Sequence, residues 1–311
     1  MRAVRFVEGR VAVEEVPAAS GEGVRVRVRS IGICGSELHM LDRRFPIAGI
    51  PGHEFAGELE DGTAVGVEPL APCAKCEECA RGAYNMCRLG PRIVLGVGRD
   101  GGMADEVVIP ERSLISLPAN LDVKDACLIE PVAVALHGLG KAGLCGGMRV
   151  AVVGGGAVGL CAVAGAVFAC AEVGLVARYP HQVKAGRRLG AEDVAGTYDL
   201  VVECAGSESA VDVAVGLCRP SGRLLLLGTY WDGLNFPHYA VAQKDLTLFA
   251  TMMYAMSGAW RDCDQAAALL AGNPEIARSL ISHRFPLEEA PKAFEVARNR
   301  KAGSIKVVME P

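Results

Sequence analysis

The sequence predicts an α/β chain of two domains, one β-rich and one built on a doubly wound parallel sheet, and three observations carry that prediction. Its 311 residues exceed what one small core organises and suit two domains of about 150 residues each. The first third alternates apolar and charged residues between closely spaced Gly and Pro, the mark of short half-buried strands and turns. Beyond about Asp122 longer Ala/Leu/Val stretches take over, and β-branched runs then alternate with helical patterns. That order predicts βαβ units joined by right-handed crossovers.

In chain order, Val24-Arg25-Val26-Arg27-Val28-Arg29 has a period of two that puts valines on one face of a half-buried strand. Glu58 to Gly66 reads as a short hairpin, and Val123 to Ala142 as a helix broken by Pro131 and glycines. Strands are expected at Arg149–Val153, Glu172–Ala177, Leu200–Glu203 and Arg223–Leu227. From about Ser282 the sequence returns to Pro-punctuated, charged texture and ends in a strand over Ser304 to Val308. The division that follows is 1–138 with 281–311 as the β-rich domain and 139–280 as the parallel-sheet domain.

Composition narrows the classes of function. Hydrophobic residues at 51% and charged residues at 22% describe a globular chain. A net charge of -4 without a dense Lys/Arg run argues against nucleic acid as a partner. The opening Met1-Arg-Ala-Val-Arg-Phe6 shows no apolar export signal, so a cytoplasmic location is expected. Val150 to Ala171 runs 22 residues without a charge, long enough to cross a bilayer. Five of those residues are Gly, three of them consecutive between a β-branched and an Ala-rich run, so the reading is a strand, a turn and a helix buried in protein, and no membrane partner is expected. The twelve Cys do not form a short secreted scaffold. Residues such as Cys161 and Cys170 sit in apolar surroundings, where a free thiol acts as a small hydrophobe.

Four others are different. Cys73, Cys76, Cys79 and Cys87 form C-x2-C-x2-C-x7-C, four thiolates able to close one tetrahedral zinc shell with no position left for water or substrate. Such a metal is structural. A redox C-x-x-C pair and a nucleic-acid zinc module are the rivals, and the latter lacks a flanking basic helix. Upstream, Cys34 and His53 can supply sulfur and nitrogen to a second metal, and a carboxylate completes three ligands with one position open. Open coordination suits catalysis, because zinc lowers the pKa of a bound alcohol. Taken singly, His53 and Cys34 also read as a satisfied buried histidine and a core cysteine.

Val150 to Gly159 gives a strand followed by Gly154-x-Gly156-x-x-Gly159, with Ala157 and Val158 opening an Ala-rich helix. In that context the glycines form a tight turn, admit a pyrophosphate to the backbone, and aim a helix N-terminus at the anion.

The loop Gly32 to His39, the Gly52-His53-Glu54 turn, the four-Cys lobe and the glycine turn, in this order, together with His283 to Ala290 near the end, resemble the zinc-containing medium-chain dehydrogenase family of alcohol dehydrogenases over nearly the whole chain. The branch is that of polyol, glucose and threonine dehydrogenases. The resemblance implies a GroES-like catalytic domain and a Rossmann cofactor domain. It implies two Zn2+ per chain, the catalytic one on Cys34 and His53, with Glu130, in Ile129-Glu130-Pro131, or Glu54 as the carboxylate; that choice stays open. Ser36 then takes the alcohol proton and His39 passes it to solvent, with Glu54 counted among the catalytic groups. Surface exposure for His39 and loop capping for Ser36 are the plainer readings. Counting back from Leu189-Gly190-Ala191 puts Ala177 where relatives carry an acid for the NAD ribose, with Arg178 beside it. Loss of that carboxylate and gain of a guanidinium favour NADP over NAD, with His181 or Lys184 assisting.

The chain departs from the family in having only eighteen residues between Glu54 and Cys73. The implied function is hydride transfer between a secondary alcohol of a polyol, sugar or amino alcohol, or the matching carbonyl, and a nicotinamide cofactor, NADP favoured and NAD possible. A threonine-3-dehydrogenase-like enzyme is the related alternative, and a non-catalytic redox sensor using the four-Cys lobe the alternative of another class. A homodimer or homotetramer is implied by resemblance alone.

Overall fold

The computed structural model describes residues 1–47 and 49–311. The chain forms two compact units, Met1–Glu130 with Gly258–Ala277 and Ile281–Pro311, and Pro131–Ser257 with Arg278–Leu280.

In the first unit β1 (Arg2–Val7) and β2 (Arg10–Glu15) pair antiparallel as a hairpin. A larger sheet is built from β3 (Val24–Gly32), β4 (Glu54–Glu58), β5 (Ala64–Val67), β6 (Glu106–Ile109), β7 (Leu114–Ser116) and the C-terminal strands Ile281–Pro286 and Lys306–Glu310. Within it β3 is the spine, pairing with β4, β6 and Lys306–Glu310. The alternation in its sequence is kept: Val26 and Val28 are buried and Arg27 is exposed. Phe55, Val107, Ile109 and Met309 complete that face of the core. The registers matter for chemistry. Gly32 stands opposite Glu54 on one side of β3 and opposite Val308 on the other, so Glu54 and Lys306 flank the end of one strand.

In the second unit β8 (Arg149–Val153), β9 (Glu172–Val176), β10 (Glu192–Asp193), β11 (Tyr198–Glu203), β12 (Cys218–Leu226) and β13 (Thr247–Ala250) form one parallel sheet in the order β10-β9-β8-β11-β12-β13. The order reverses between β8 and β11, which places a ligand crevice at the carboxyl ends of those strands. The inner residues of the central strands, Val150 to Val153 and Leu200 to Val202, are apolar and buried, as a sheet covered on both faces requires. The helix Ala157–Phe168 that follows β8 is buried along most of its length. Among the described residues no helix is long and apolar enough to cross a membrane.

Two expectations about elements change. A helix runs unbroken over Ile129–Lys141 through Pro131, because proline in a first turn removes an N–H that has no intrahelical partner there. The segment Gly258–Ala277, assigned from sequence to the parallel-sheet domain, lies with the first unit. Its helix Asp262–Gly272 buries Cys263, Ala266, Ala267 and Leu270, Arg261 donates to the carbonyls of Arg112 and Leu114, and Asn120 donates to Ala271 at 2.7 Å.

Phe55 is 1% exposed, and its ring fills the space left by Gly102, where an added Cβ would lie 2.2 Å from it. Phe55→Ala is expected to cost about 3–5 kcal/mol, read as a lowered urea midpoint with an unchanged slope.

Candidate active site

Cys34 lies two residues past the end of β3 and caps the helix Gly35–Asp42, which places Ser36, Glu37 and His39 on that helix. The other half of the site comes from the Gly52-His53-Glu54 turn. Gly52 has φ +103° and abuts the backbone of Met103 at 2.7 Å from where a Cβ would be, so only glycine fits the turn that presents His53. Cys34 Sγ, a His53 ring nitrogen and a Glu54 oxygen lie within 4.8 Å of one another. Thiolate, imidazole and carboxylate with one position open are the donor set of a catalytic zinc.

Glu37 organises this set, and sequence reasoning passed over it. Its Oε2 accepts from the Cys34 N–H at 2.9 Å and its Oε1 from the His53 N–H at 3.2 Å. The same Oε1 is 2.9 Å from His53 Nδ1, although the ring N–H is not aligned on an acceptor and Nδ1 is buried without a hydrogen bond. The carboxylate therefore faces one ring nitrogen and leaves Nε2 toward Ser36 Oγ, 3.5 Å away, the arrangement by which outer carboxylates orient metal-ligating histidines. Burial opposes the His53 imidazolium, but Glu37 and Cys34 outweigh it and raise the pKa well above the ordinary value. The clue available in sequence was the capping-box spacing from Cys34 to Glu37.

Lys306 is the second residue that went unread. Its Nζ donates to Glu54 Oε1 at 2.7 Å, Oε2 at 2.6 Å and the Ile33 carbonyl at 3.1 Å, all within the buried interior. Nothing local marks it, because the contact spans strands far apart in the chain. Glu130 sits in the first turn of Ile129–Lys141 and is buried, but it does not join the three donor atoms. Burial, reinforced by the Glu54 carboxylate and opposed by His53, pushes its carboxyl up to about 7. Ser36 and His39, three residues apart, share a helix face.

The four-Cys lobe closes on itself. Sulfur separations are 3.4 Å for Cys76–Cys79, 3.9 Å for Cys73–Cys79 and 4.0 Å for Cys76–Cys87, bracketing the edge of about 3.8 Å that four sulfurs at about 2.3 Å from zinc would have. None is bonded as a disulfide. Backbone N–H groups of Arg88 and Cys79 pull the Cys76 thiol down to about 6, whereas burial and the neighbouring thiols push Cys79 up to about 12. Four thiols this close resist ionising together unless a cation joins them, so the residues fit a structural metal.

In the second unit the glycines divide their tasks. Gly154 has φ +116° and packs on Ala205; Gly159 lies against the Gly154 carbonyl, 1.8 Å from where a Cβ would be; Gly156 faces open space. Turn, close helix packing and room for a phosphate are thus separate requirements. Ala157 and Val158 open the helix behind Gly156. Ala177 follows β9 beside this turn, its Cβ 2.7 Å from where a Gly155 Cβ would stand. Arg178 is exposed and makes no hydrogen bond or ion pair among the described residues. Tyr179 and His181 stack at 5.6 Å, and His181 Nε2 is buried without a partner.

Residues 20–119 match the family described as alcohol dehydrogenase GroES-like domain. Galactitol 1-phosphate 5-dehydrogenase of Escherichia coli (strain K12) is 28% identical over 96% of each chain. Among solved structures, alcohol dehydrogenase TADH from Thermus sp. ATN1 superposes with a TM-score of 0.86 at 30% identity over 100% of both chains. A protein from Sinorhizobium meliloti 1021 described as a zinc-binding dehydrogenase, solved bound to NADP, gives 0.87 at 28% identity over 100% of this chain and 99% of that one.

Removing the Glu37 carboxylate should loosen one metal site and spare the other. Glu37→Ala is expected to lower zinc affinity at Cys34 and His53 by about 10–100-fold in chelator competition, with the four-Cys site unchanged; an affinity at Cys34 and His53 equal to the parent's would show that Glu37 orients nothing.

Proposed function

Because the chain belongs to the zinc-containing medium-chain alcohol dehydrogenase family, in its polyol dehydrogenase branch, we propose that it moves a hydride between a secondary alcohol of a polyol or sugar and a nicotinamide cofactor, with NADP preferred. The observation that carries this reading is the convergence of Cys34, His53 and Glu54 beside Ser36. Zinc held by Cys34, His53 and a carboxylate, Glu54 or Glu130, would supply the Lewis acidity that eases loss of the alcohol proton. Ser36 Oγ receives that proton and His39, one turn along the same helix face, passes it outward. The second zinc belongs to Cys73, Cys76, Cys79 and Cys87.

The glycine turn at Gly154, Gly156 and Gly159 holds the cofactor diphosphate against the helix that opens at Ala157 and Val158. Ala177 and Arg178 favour a 2′-phosphate, which the unpaired guanidinium and the orphan His181 Nε2 support. A polyol is preferred to a β-hydroxy amino acid because relatives such as galactitol 1-phosphate 5-dehydrogenase and sorbitol dehydrogenase are named for polyols. Association into a homodimer or homotetramer through the edge strand β13, which leaves Leu248 exposed, and a cytoplasmic location complete the proposal.

Zinc-replete protein is expected to carry two metals per chain and to reduce NADP with at least one member of a polyol and sugar panel, followed by absorbance. Cys34→Ala should lose one zinc and turnover together; full turnover in that variant would sink the catalytic assignment of Cys34, and one zinc in the parent would favour the sensor reading. Ala177→Asp combined with Arg178→Ala should move the NADP/NAD ratio of kcat/KM toward NAD by at least tenfold, and an unchanged ratio would refute the role given to those positions.

A further inference from the structure

Glu203, the last residue of β11, is fully buried, and no cation pairs with it among the described residues. A buried charge of this kind is costly unless donors surround it. Three do. Its Oε1 accepts from the Ala205 N–H at 2.7 Å and the Gly206 N–H at 2.8 Å, and its Oε2 accepts from the Tyr230 hydroxyl. Burial and the adjacent carboxylate raise the Tyr230 pKa far above the ordinary phenol value, so it stays a donor.

The donors lie on the two loops that leave the carboxyl ends of β11 and β12. Glycines let those loops meet over the carboxylate: a Cβ on Gly228 would stand 2.3 Å from Glu203 Oε2, and one on Gly206 would stand 2.9 Å from the Thr229 carbonyl. The segment that Glu203 holds is also the wall behind the glycine turn, since a Cβ on Gly154 would lie 2.9 Å from the Ala205 nitrogen, and the Cys204 N–H donates to the Val153 carbonyl at 2.8 Å. Carboxylate, loop and turn therefore form one mechanical series at the point where the strand order reverses.

We infer that Glu203 is a positioning residue for the dinucleotide: by fixing Ala205 and Gly206 it sets the glycine turn, and with it the affinity for cofactor. This rests on the reading of that turn as a nicotinamide cofactor site. The charge itself is not what the site uses, because a carboxylate beneath a diphosphate is repulsive; the hydrogen bonds it fixes to Ala205, Gly206 and Tyr230 are.

The test compares Glu203→Ala, Glu203→Gln and Tyr230→Phe in the zinc-replete protein. Dissociation constants for NADPH and NADH are measured by fluorescence, alongside kcat, both KM values and Tm. Glu203→Ala is expected to raise the cofactor dissociation constant and KM at least tenfold, with kcat at saturating cofactor within about threefold of the parent. Glu203→Gln should restore affinity to within threefold, since its amide oxygen can accept from both N–H groups and its NH2 can donate to Tyr230. Tyr230→Phe should fall between, with a Tm lowered less than in Glu203→Ala, and it decides the matter if Glu203→Ala does not fold. Cofactor affinity that stays within twofold in both Glu203→Ala and Tyr230→Phe, or a Gln variant as weak as the Ala variant, overturns the inference. A parent that binds neither reduced cofactor overturns the underlying cofactor reading instead.

Discussion

The pair of Lys306 with Glu54 is the contact on which the first unit's chemistry depends. Lys306 is 3% exposed and Glu54 1%, so each would be a liability alone, and removing one partner of such a pair costs about 3–5 kcal/mol. The pair exists only because Val308 stands opposite Gly32 and because Gly32 has no Cβ, which would sit 2.1 Å from Glu54 Oε2. A slip of one residue in that register would turn Lys306 to the other face of the sheet. Other acids gather in the same place. Glu37, Glu54 and Glu130 are buried near Cys34 and His53, and burial, reinforced by the Glu54 carboxylate, holds the Glu130 carboxyl up at about 7. Carboxylates gathered beside a thiol and an imidazole are surroundings that favour a divalent cation.

How much of this could be read from the chain depends on distance along it. The four-Cys lobe was legible because its ligands fall within fifteen residues and thiolates have few other uses at that spacing. The glycine turn was legible because its strand and helix are contiguous. Cys34 and His53 needed the resemblance to be joined, being nineteen positions apart. Lys306 and Glu203 carried no signal at all: one resembles an ordinary strand-end charge and the other an ordinary strand-end acid, and only tertiary pairing shows that both are buried. The break expected at Pro131 failed for a local reason, since what matters is where in a helix a proline falls. The misassigned segment 258–277 failed for a distant one, in the bonds Arg261 and Asn120 make.

The four-Cys lobe is also less detached than its compact motif suggests. Tyr84, between Cys79 and Cys87, donates to the buried Glu68 carboxylate, and Arg112, whose guanidinium lies over the Tyr84 ring, donates to the Pro72 carbonyl just before Cys73. Arg261 reaches the other oxygen of Glu68 at 3.3 Å. Both ends of the lobe are thus tied to one buried carboxylate and two arginines, so ordering the lobe by a metal also orders what it is tied to. The burial that raises the Glu68 carboxyl is tolerable because these donors surround it.

At the nucleotide end the same accounting of charge applies with the opposite outcome. Arg178 is exposed and makes no hydrogen bond or ion pair among the described residues, so keeping it costs the free protein little, and on the proposed reading it contributes only when an anion arrives. The missing acid at Ala177 matters at least as much. On that reading a carboxylate there would bond a ribose diol and repel a 2′-phosphate, so its absence would weaken one cofactor while ceasing to exclude the other. Preference is a difference of two affinities, and two neighbouring substitutions that act on different terms of that difference shift it further than either could alone.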